Sequence, residues 1–228
     1  FRFHYTNEGT DAVSDPNYIF QMAEVFEEVY SFYIDTLNFS APVSDPASDD
    51  ILYDVFVENL PTYYFGITYT KNTSVSSPAC VSYIKMRNNY NGSQFSEHTE
   101  LENVQVTAVH EFFHAIQFSY NCYEKFWFME ATAVWSEDEL YNNVNDHYRY
   151  ISSWFSNINK SLDDESSHMY GSFIFFQYVD EHLGGPNTIR LCWEKSHELA
   201  SPIQDNSIES INAALSDLGS SFEETYLR

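Results

Sequence analysis

The chain has 228 residues, of which 43% are hydrophobic and 18% aromatic, enough for a core in one large domain or two closely joined lobes. This composition excludes a disordered acidic segment. The 34 acidic residues outnumber the 10 basic ones and give a formal net charge of −24, which argues against nucleic-acid partners and membrane insertion.

The N-terminal part alternates between strand and helix patterns. Residues 1–6, 51–57, 63–70 and 79–86 are predicted strands, separated by turn-forming Asn, Ser and Pro residues. Between the first two, residues 17–37 are predicted to form a helix, because apolar residues recur at helical spacing after Asp15-Pro16. We therefore expect an N-terminal lobe that combines a mixed sheet with helices.

Four aspartates lie close together in the sequence before and within the second predicted strand. Asp45, Asp49, Asp50 and Asp54 offer the oxygen ligands that calcium prefers. Their spacing does not match the twelve-residue calcium loop, so a solvated turn is the alternative interpretation. Calcium is the second candidate cation, after zinc.

Three cysteines, Cys80, Cys122 and Cys192, are too few and too widely spaced for a zinc ribbon. One disulfide and one buried thiol would suit an exported protein, and the sequence leaves their pairing open. The chain begins at Phe1 without Met, which is consistent with a removed leader. We expect a secreted or cell-surface protein.

The segment His110-Glu111-Phe112-Phe113-His114 lies within an apolar stretch predicted to be helical. Two histidines four positions apart on a helix lie about one turn from each other on the same face, so both imidazoles can bind one ion. The alternative is a core helix whose histidines are satisfied by hydrogen bonds. Burying two histidines and a glutamate without partners is costly, which favours a metal site.

A third ligand is expected from the next apolar segment. Glu130 lies sixteen positions after His114, which leaves room for a turn and a second helix. Two imidazoles, one carboxylate and a water form the open tetrahedral site of a catalytic zinc ion. In such a site Glu111 would be the general base that takes a proton from water and passes it to the leaving amine. The predicted reaction is peptide-bond hydrolysis.

These motifs resemble the gluzincin metallopeptidases, in which a second helix carries the glutamate ligand. Trp127-x-x-Glu130-x-x-Ala133 is similar to a segment of their aminopeptidase branch. Residues 1–6, 11–13 and 110–117 and the Tyr170-Gly171 pair resemble a little-studied group of secreted prokaryotic metalloproteases. The resemblance implies an α+β, zincin-like fold with the HExxH helix at its centre, and an edge strand that binds the substrate. We assign residues 81–86 to that edge.

The sequence also departs from well-known gluzincins. Val134 stands where thermolysin-like enzymes place an aspartate that orients a histidine ligand, so this support must come from elsewhere. No Gly-x-Met-Glu-Asn segment is present, which argues against recognition of a free amino terminus. Residues 88–98 are either a loop over the cleft or a plain surface connection.

After the metal motif the chain is predicted to be mostly helical, at about residues 146–157, 168–182, 187–197 and 207–218. In the second of these, Tyr170 resembles the gluzincin tyrosine that donates a hydrogen bond to the oxyanion, and His168 is the second candidate. Tyr170 as a core-packing residue is the alternative. The other histidines, His4, His98, His147, His182 and His197, are expected at the surface.

We therefore predict one catalytic domain over residues 1–228, with an α+β lobe over about 1–120 and a helical lobe over about 121–228. The predicted function is that of a secreted zinc endopeptidase that acts on peptides or proteins. The alternative is a catalytically inactive, zincin-like binding or structural module at the cell surface. The sequence does not indicate the oligomeric state.

Overall fold

The structure is a computed structural model of the chain, and it describes residues 1–48, 50–71, 77–200 and 205–227. Within these ranges the protein has an α+β fold with a four-stranded mixed sheet, followed by a largely helical C-terminal part, which confirms the predicted fold class. The strands are β1 (Arg2–His4), β2 (Asp54–Glu58), β3 (Gly66–Thr70) and β4 (Ser82–Arg87). The helices are α1 (Pro16–Tyr30), α2 (Glu100–Tyr120), α3 (Phe126–Tyr141), α4 (Tyr148–Ser156), α5 (His168–Gly171), α6 (Phe173–His182), α7 (Pro186–Leu199), α8 (Ser207–Asp217) and α9 (Phe222–Tyr226). None of the helices in these ranges combines the length and apolar character needed to cross a membrane.

The strand order in the sheet is β1-β2-β4-β3. β1, β2 and β4 are parallel, and β3 runs antiparallel to β4. The prediction that residues 81–86 form an edge was wrong, because β4 pairs with a strand on each side. The edge strand beside the central helix is β3, and the alternating sequence of β4 could not reveal this order, which depends on pairing between distant segments.

Helix α1 begins as predicted and ends differently. The Asp15 side chain accepts a hydrogen bond from the Asn17 backbone N–H, and Pro16 occupies the first turn. The helix continues after Tyr30 as a π-helix over Ser31–Thr36. Its buried face packs against α2.

Helix α2 occupies the centre of the fold between the sheet, α1 and α3. It begins with a capping box in which the Thr99 and Glu102 side chains bind each other's backbone N–H groups. Gly66 lies so close to this helix that an added Cβ would be 2.7 Å from the Glu111 Cγ and the Thr107 Cγ2. The glycine therefore allows β3 to lie directly against the segment that carries the predicted site.

A disulfide joins Cys80 to Cys122, and Cys192 is a buried free thiol. The Cys80 backbone N–H also donates to the Phe118 oxygen at 2.8 Å. Together these bonds hold the segment before β4 against the end of α2. The expectation of one disulfide and one buried thiol is confirmed.

The helices α4 to α8 agree with the predicted segments apart from a break at Ser172, and α9 (Phe222–Tyr226) was not predicted. Residues 168–182 form two helices, α5 and α6, that meet at Ser172. The Ser172 hydroxyl donates to the Leu162 oxygen at 3.0 Å, which ties this junction to the segment before α5. One hydrophobic cluster connects residues of the sheet, α1, α2 and the C-terminal helices.

The described aspartates in and near the predicted calcium segment form ion pairs with basic side chains. The Lys71 ammonium lies 3.0 Å from Asp45 Oδ2 and 2.8 Å from Asp54 Oδ2, and Arg2 pairs with Asp50. Asp49 lies outside the described residues. These ion pairs favour the solvated-turn interpretation for Asp45 and Asp50 over a cation site, whereas Asp54 is the first residue of β2.

Candidate metal centre

Two neighbouring helices bring three possible metal ligands together. His110 and His114 lie one turn apart on α2, and Glu130 lies in the second turn of α3. The His110 and His114 Nε2 atoms are 3.1 Å apart, and they lie 3.1 Å and 3.7 Å from Glu130 Oε2. Ligands of tetrahedral zinc at about 2.0–2.1 Å from the metal are about 3.3 Å from each other, so the spacing fits such an ion. This His-His-Glu triad is the one group with such geometry among the described residues.

Gln117 fixes the tautomer of His114. Its amide nitrogen donates to the Met129 oxygen at 2.8 Å and to the Thr132 hydroxyl at 3.0 Å. The amide oxygen therefore faces the His114 Nδ1 at 2.8 Å and must accept a hydrogen bond from it. The neutral imidazole then has a lone pair on Nε2, the atom directed at the triad.

Glu137 fixes the tautomer of His110 in the same way. Its Oε1 lies 2.7 Å from the His110 Nδ1, and its side chain is buried. Val134, where thermolysin-like enzymes carry an aspartate, is fully buried in the core. The support that the sequence analysis expected from elsewhere thus comes from Glu137 and Gln117, which it did not identify.

The local sequence did contain signals for both residues. Glu137 lies seven positions after Glu130 and therefore on the same face of α3 two turns later. Gln117 follows His114 by three positions, the spacing at which helical side chains meet.

With both Nδ1 atoms bound to acceptors, the two Nε2 lone pairs and the Glu130 carboxylate point at one another. Three converging acceptors repel unless a metal ion or a proton lies among them, and without a metal His110 would carry that proton. Burial alone would raise the pKa of Glu130, but the charges and hydrogen bonds of the two histidines hold it well below its ordinary value. Burial would lower the pKa of His110, but Glu130 and Glu137 raise it well above the ordinary value. The donor set fits a metal ion of the zinc type.

Glu111 lies between the histidines and the edge of the sheet. Its side chain is buried, and the Thr68 hydroxyl of β3 is 2.7 Å from its Oε2 and 2.8 Å from its backbone oxygen. Burial raises the pKa of the Glu111 carboxyl, although both nearby histidines act to lower it. A carboxylate with a raised pKa is suited to taking up and releasing a proton.

The triad and Glu111 line a cleft of about 470 Å³. Tyr170 of α5 and Tyr150 of α4 also line it, with their rings stacked at 5.1 Å between centroids. Burial raises the pKa of both phenols well above the ordinary value, so both are neutral hydrogen-bond donors at neutral pH. Tyr170 therefore lies in the cleft as predicted, and Tyr150 is a second phenol that the sequence analysis missed.

His168 does not line the cleft. It is buried against Trp154, with the two rings stacked at 5.3 Å, and neither ring nitrogen has a hydrogen-bond partner among the described residues. The structure thus separates the second oxyanion candidate from the triad.

The remaining histidines and the loop before α2 also differ in part from expectation. His182 and His197 are exposed as predicted, and His4 and His98 are half-buried. His147 is buried, so its surface assignment was wrong. Residues 88–98 do not line the cleft, and Tyr90 and Phe95 of this segment belong to the core.

The whole chain, rather than this site alone, was compared with known proteins. Searches of curated proteins and of solved structures found no match. Among models of protein families, one described as a family of unknown function (DUF6055) matches residues 5–213. The chain therefore belongs to the DUF6055 family.

Proposed function

We propose that this protein is a zinc metallopeptidase. The observation that carries the proposal is the convergence of the His110, His114 and Glu130 acceptor atoms beside the Glu111 carboxylate, in a cleft open to substrate. Nitrogen and carboxylate ligands in a three-residue set are typical of catalytic zinc, which keeps one position for water. The HExxH segment and its resemblance to gluzincins point to the same chemistry.

The residues of the chain have separate roles in this reaction. A zinc ion held by the triad would supply a polarised water and a Lewis acid for the scissile carbonyl. Glu111 takes the proton of the water and later donates it to the leaving amine. Tyr170 or Tyr150 donates a hydrogen bond to the oxygen that becomes negative in the transition state.

Strand β3 gives the cleft a means of holding an extended substrate. It is at one end of the strand order and lies directly against α2. Thr68 of this strand contacts Glu111, so a peptide added to the strand would pass close to the base. Backbone pairing of this kind favours a peptide substrate over a small ester or amide.

The disulfide supports secretion or display at the cell surface. Cys80 and Cys122 are bonded in this fold, and structural disulfides are rare in reducing cytoplasm. The proposed localisation therefore rests on redox chemistry as well as on the acidic composition.

The test is the Glu111→Gln variant. The substitution keeps the shape of the side chain and removes its basicity, so we expect bound zinc to be unchanged and peptide cleavage to be lost. Zinc is measured by elemental analysis, and cleavage of an unfolded protein and a peptide library by mass spectrometry. The control is Glu97→Gln, which changes an exposed glutamate outside the cleft.

Two outcomes would contradict the proposal in different ways. Retained cleavage by Glu111→Gln would refute the role of this residue as the base. Absence of cleavage by zinc-loaded wild-type protein would favour the inactive binding or structural module.

A further inference from the structure

Arg149 of α4 is the one lysine or arginine among the described residues that line the cleft. The ionisable carboxyl groups around the same cleft are those of Glu111, Glu130, Glu137 and Asp146. In a chain with 10 basic residues against 34 acidic ones, a guanidinium at this place is a conspicuous exception. It makes one part of the cleft favourable for a negative group.

The guanidinium is held in a fixed orientation. Its Nε donates to the Asp146 backbone oxygen at 3.3 Å, and Nη2 forms an ion pair with the Asp146 carboxylate. The guanidinium carbon lies 5.0 Å from the centre of the Phe65 ring and 5.8 Å from that of Tyr150.

These contacts leave part of the guanidinium available. Nη1 donates no hydrogen bond to a residue that the structure describes, and 30% of the side chain is exposed. The charge of Asp146 is also shared with His98, whose Nε2 lies 3.1 Å from Oδ1. The ion pair therefore positions Arg149 without using all of its donors.

The direction of β3 shows which end of the cleft Arg149 occupies. Gly66 at the start of β3 lies beside Thr107 of α2. At the other end, Thr70 pairs with Ser82, close to the place where the chain bonds to Phe118. The strand and α2 thus run in the same sense, and Arg149, which lies on Phe65, is at the Thr107 end.

The opposite end of the cleft has a different character. It is lined by Phe118, Phe126 and Met129. The Phe118 ring lies 6.4 Å from that of His114. A peptide that paired antiparallel with β3 would have its N-terminal side at these apolar residues. Its C-terminal side would then lie at Arg149.

We propose that Arg149 binds a carboxylate of the substrate on the C-terminal side of the scissile bond. This inference rests on the proposed peptidase function and names the substrate class: peptides with a nearby C-terminal carboxylate or an acidic side chain at that position. Arginine suits this role because its planar fork matches a carboxylate. Away from Arg149 and the metal site, the carboxyl groups that line the cleft would repel such a group.

Binding to zinc-loaded Glu111→Gln protein tests the inference apart from catalysis. The probes are N-acetylated tri- to pentapeptides of Ala and Leu in three forms: a free C-terminal carboxylate, a C-terminal amide, and an amide with one residue replaced by Glu. Calorimetry measures the dissociation constants. We expect at least one carboxylate form to bind about 10- to 100-fold more tightly than the amide, in line with a hydrogen bond to a charged group.

Substitution of Arg149 should remove this preference. In Arg149→Met the carboxylate and amide forms should bind within about 2-fold of each other, with amide binding and zinc content unchanged. Arg149→Lys, which keeps the charge and the contact with Asp146, should retain a reduced preference and decides the matter if Arg149→Met does not fold. Lys160→Met is the control, since Lys160 is paired with Asp164 outside the cleft.

The outcomes distinguish a C-terminal carboxylate from an acidic side chain. They also distinguish failure of the Arg149 inference from failure of the proposed peptidase function. Preference for the free C-terminus alone assigns a terminal carboxylate, and preference for the Glu form alone assigns an acidic side chain. Equal binding of all forms, an undiminished preference in Arg149→Met (or in Arg149→Lys if Arg149→Met does not fold), or no peptide binding at all would overturn the inference. Loss of the peptidase function would show instead in the cleavage assay with wild-type protein.

Discussion

The α2–α3 side of the cleft and the α4–α5 side are built differently. On the first side, His110 and His114 are each held by a second side chain, Glu137 and Gln117, within helices that are buried on most faces. On the second side, α4 has no buried residue.

Helix α4 packs on α5 through the rings of Tyr150 and Trp154. The Trp154 ring lies over α5, where an added Cβ on Gly171 would be 2.4 Å from it, and it stacks on the buried His168 ring. This difference in packing corresponds to two functions of the cleft walls, which are metal binding and contact with the substrate. Metal ligands need a geometry fixed to a fraction of an ångström, whereas a wall that contacts substrate can be less tightly packed.

The largest effect is expected from loss of a ligand on the rigid side. Glu130→Ala removes one of three donors, so its zinc dissociation constant should rise by more than about 100-fold, beyond what loss of an outer partner causes. Competition with a chromophoric chelator measures the affinity. Glu181→Ala, at an exposed position of α6, is the control. Unchanged affinity in Glu130→Ala would refute its role as a ligand.

A smaller loss should follow from removing the partners of the histidines. Glu137→Gln and Gln117→Met leave the ligands in place but weaken the bonds that orient His110 and His114. Each should weaken zinc binding by about 10- to 100-fold, measured by the same competition. Affinity within 2-fold of wild type in both variants would mean that packing alone orients the imidazoles.

Substitutions on the less buried side should affect turnover but not the metal. Tyr170→Phe should lower kcat by about 100-fold if Tyr170 stabilises the oxyanion, with zinc content unchanged. Tyr150→Phe is the matched variant, because both rings stack in the same wall. A larger loss in Tyr150→Phe would assign the role to Tyr150, and no loss in either would exclude a phenol as the donor.

The smallest effect is expected at His168. His168 lies outside the cleft, and its buried ring nitrogens have no partner in the part of the chain that the structure describes, so His168→Phe should leave cleavage unchanged. The free energy of unfolding should stay the same or rise by up to about 1 kcal/mol. Reduced cleavage with normal folding would contradict the separation of His168 from the site.

The stability difference between wild type and His168→Phe should depend on pH. Burial lowers the pKa of His168 in the folded protein, although nearby Asp164 acts to raise it. Below the ordinary histidine pKa of about 6.5 the unfolded chain therefore binds more protons, and the free energy of unfolding falls as the pH decreases. The variant should lose less stability than wild type between about pH 7 and pH 5, measured by urea unfolding.

The parts of the site that could be predicted are those set by local spacing. His110, Glu111 and His114 lie on one short helical segment, and the apolar segment around Glu130 indicated the second helix. Helical periodicity therefore led to the triad.

The remaining features depend on contacts between distant segments. β3 rather than β4 lies at the edge because of strand order, and Tyr150 meets Tyr170 only because α4 packs on α5. The pairing of Cys80 with Cys122 likewise depends on how the segment before β4 meets the end of α2. Composition and periodicity contain no information on which distant segments contact each other.

The zinc content of the purified protein tests the central claim most directly. Wild-type protein and His114→Ala are supplied with excess zinc at neutral pH, freed of unbound metal and subjected to elemental analysis. The His-His-Glu triad predicts one zinc per chain in wild type and loss of that zinc in His114→Ala. No zinc in wild type, or zinc retained in the variant, would contradict the proposed metal centre and with it the peptidase function.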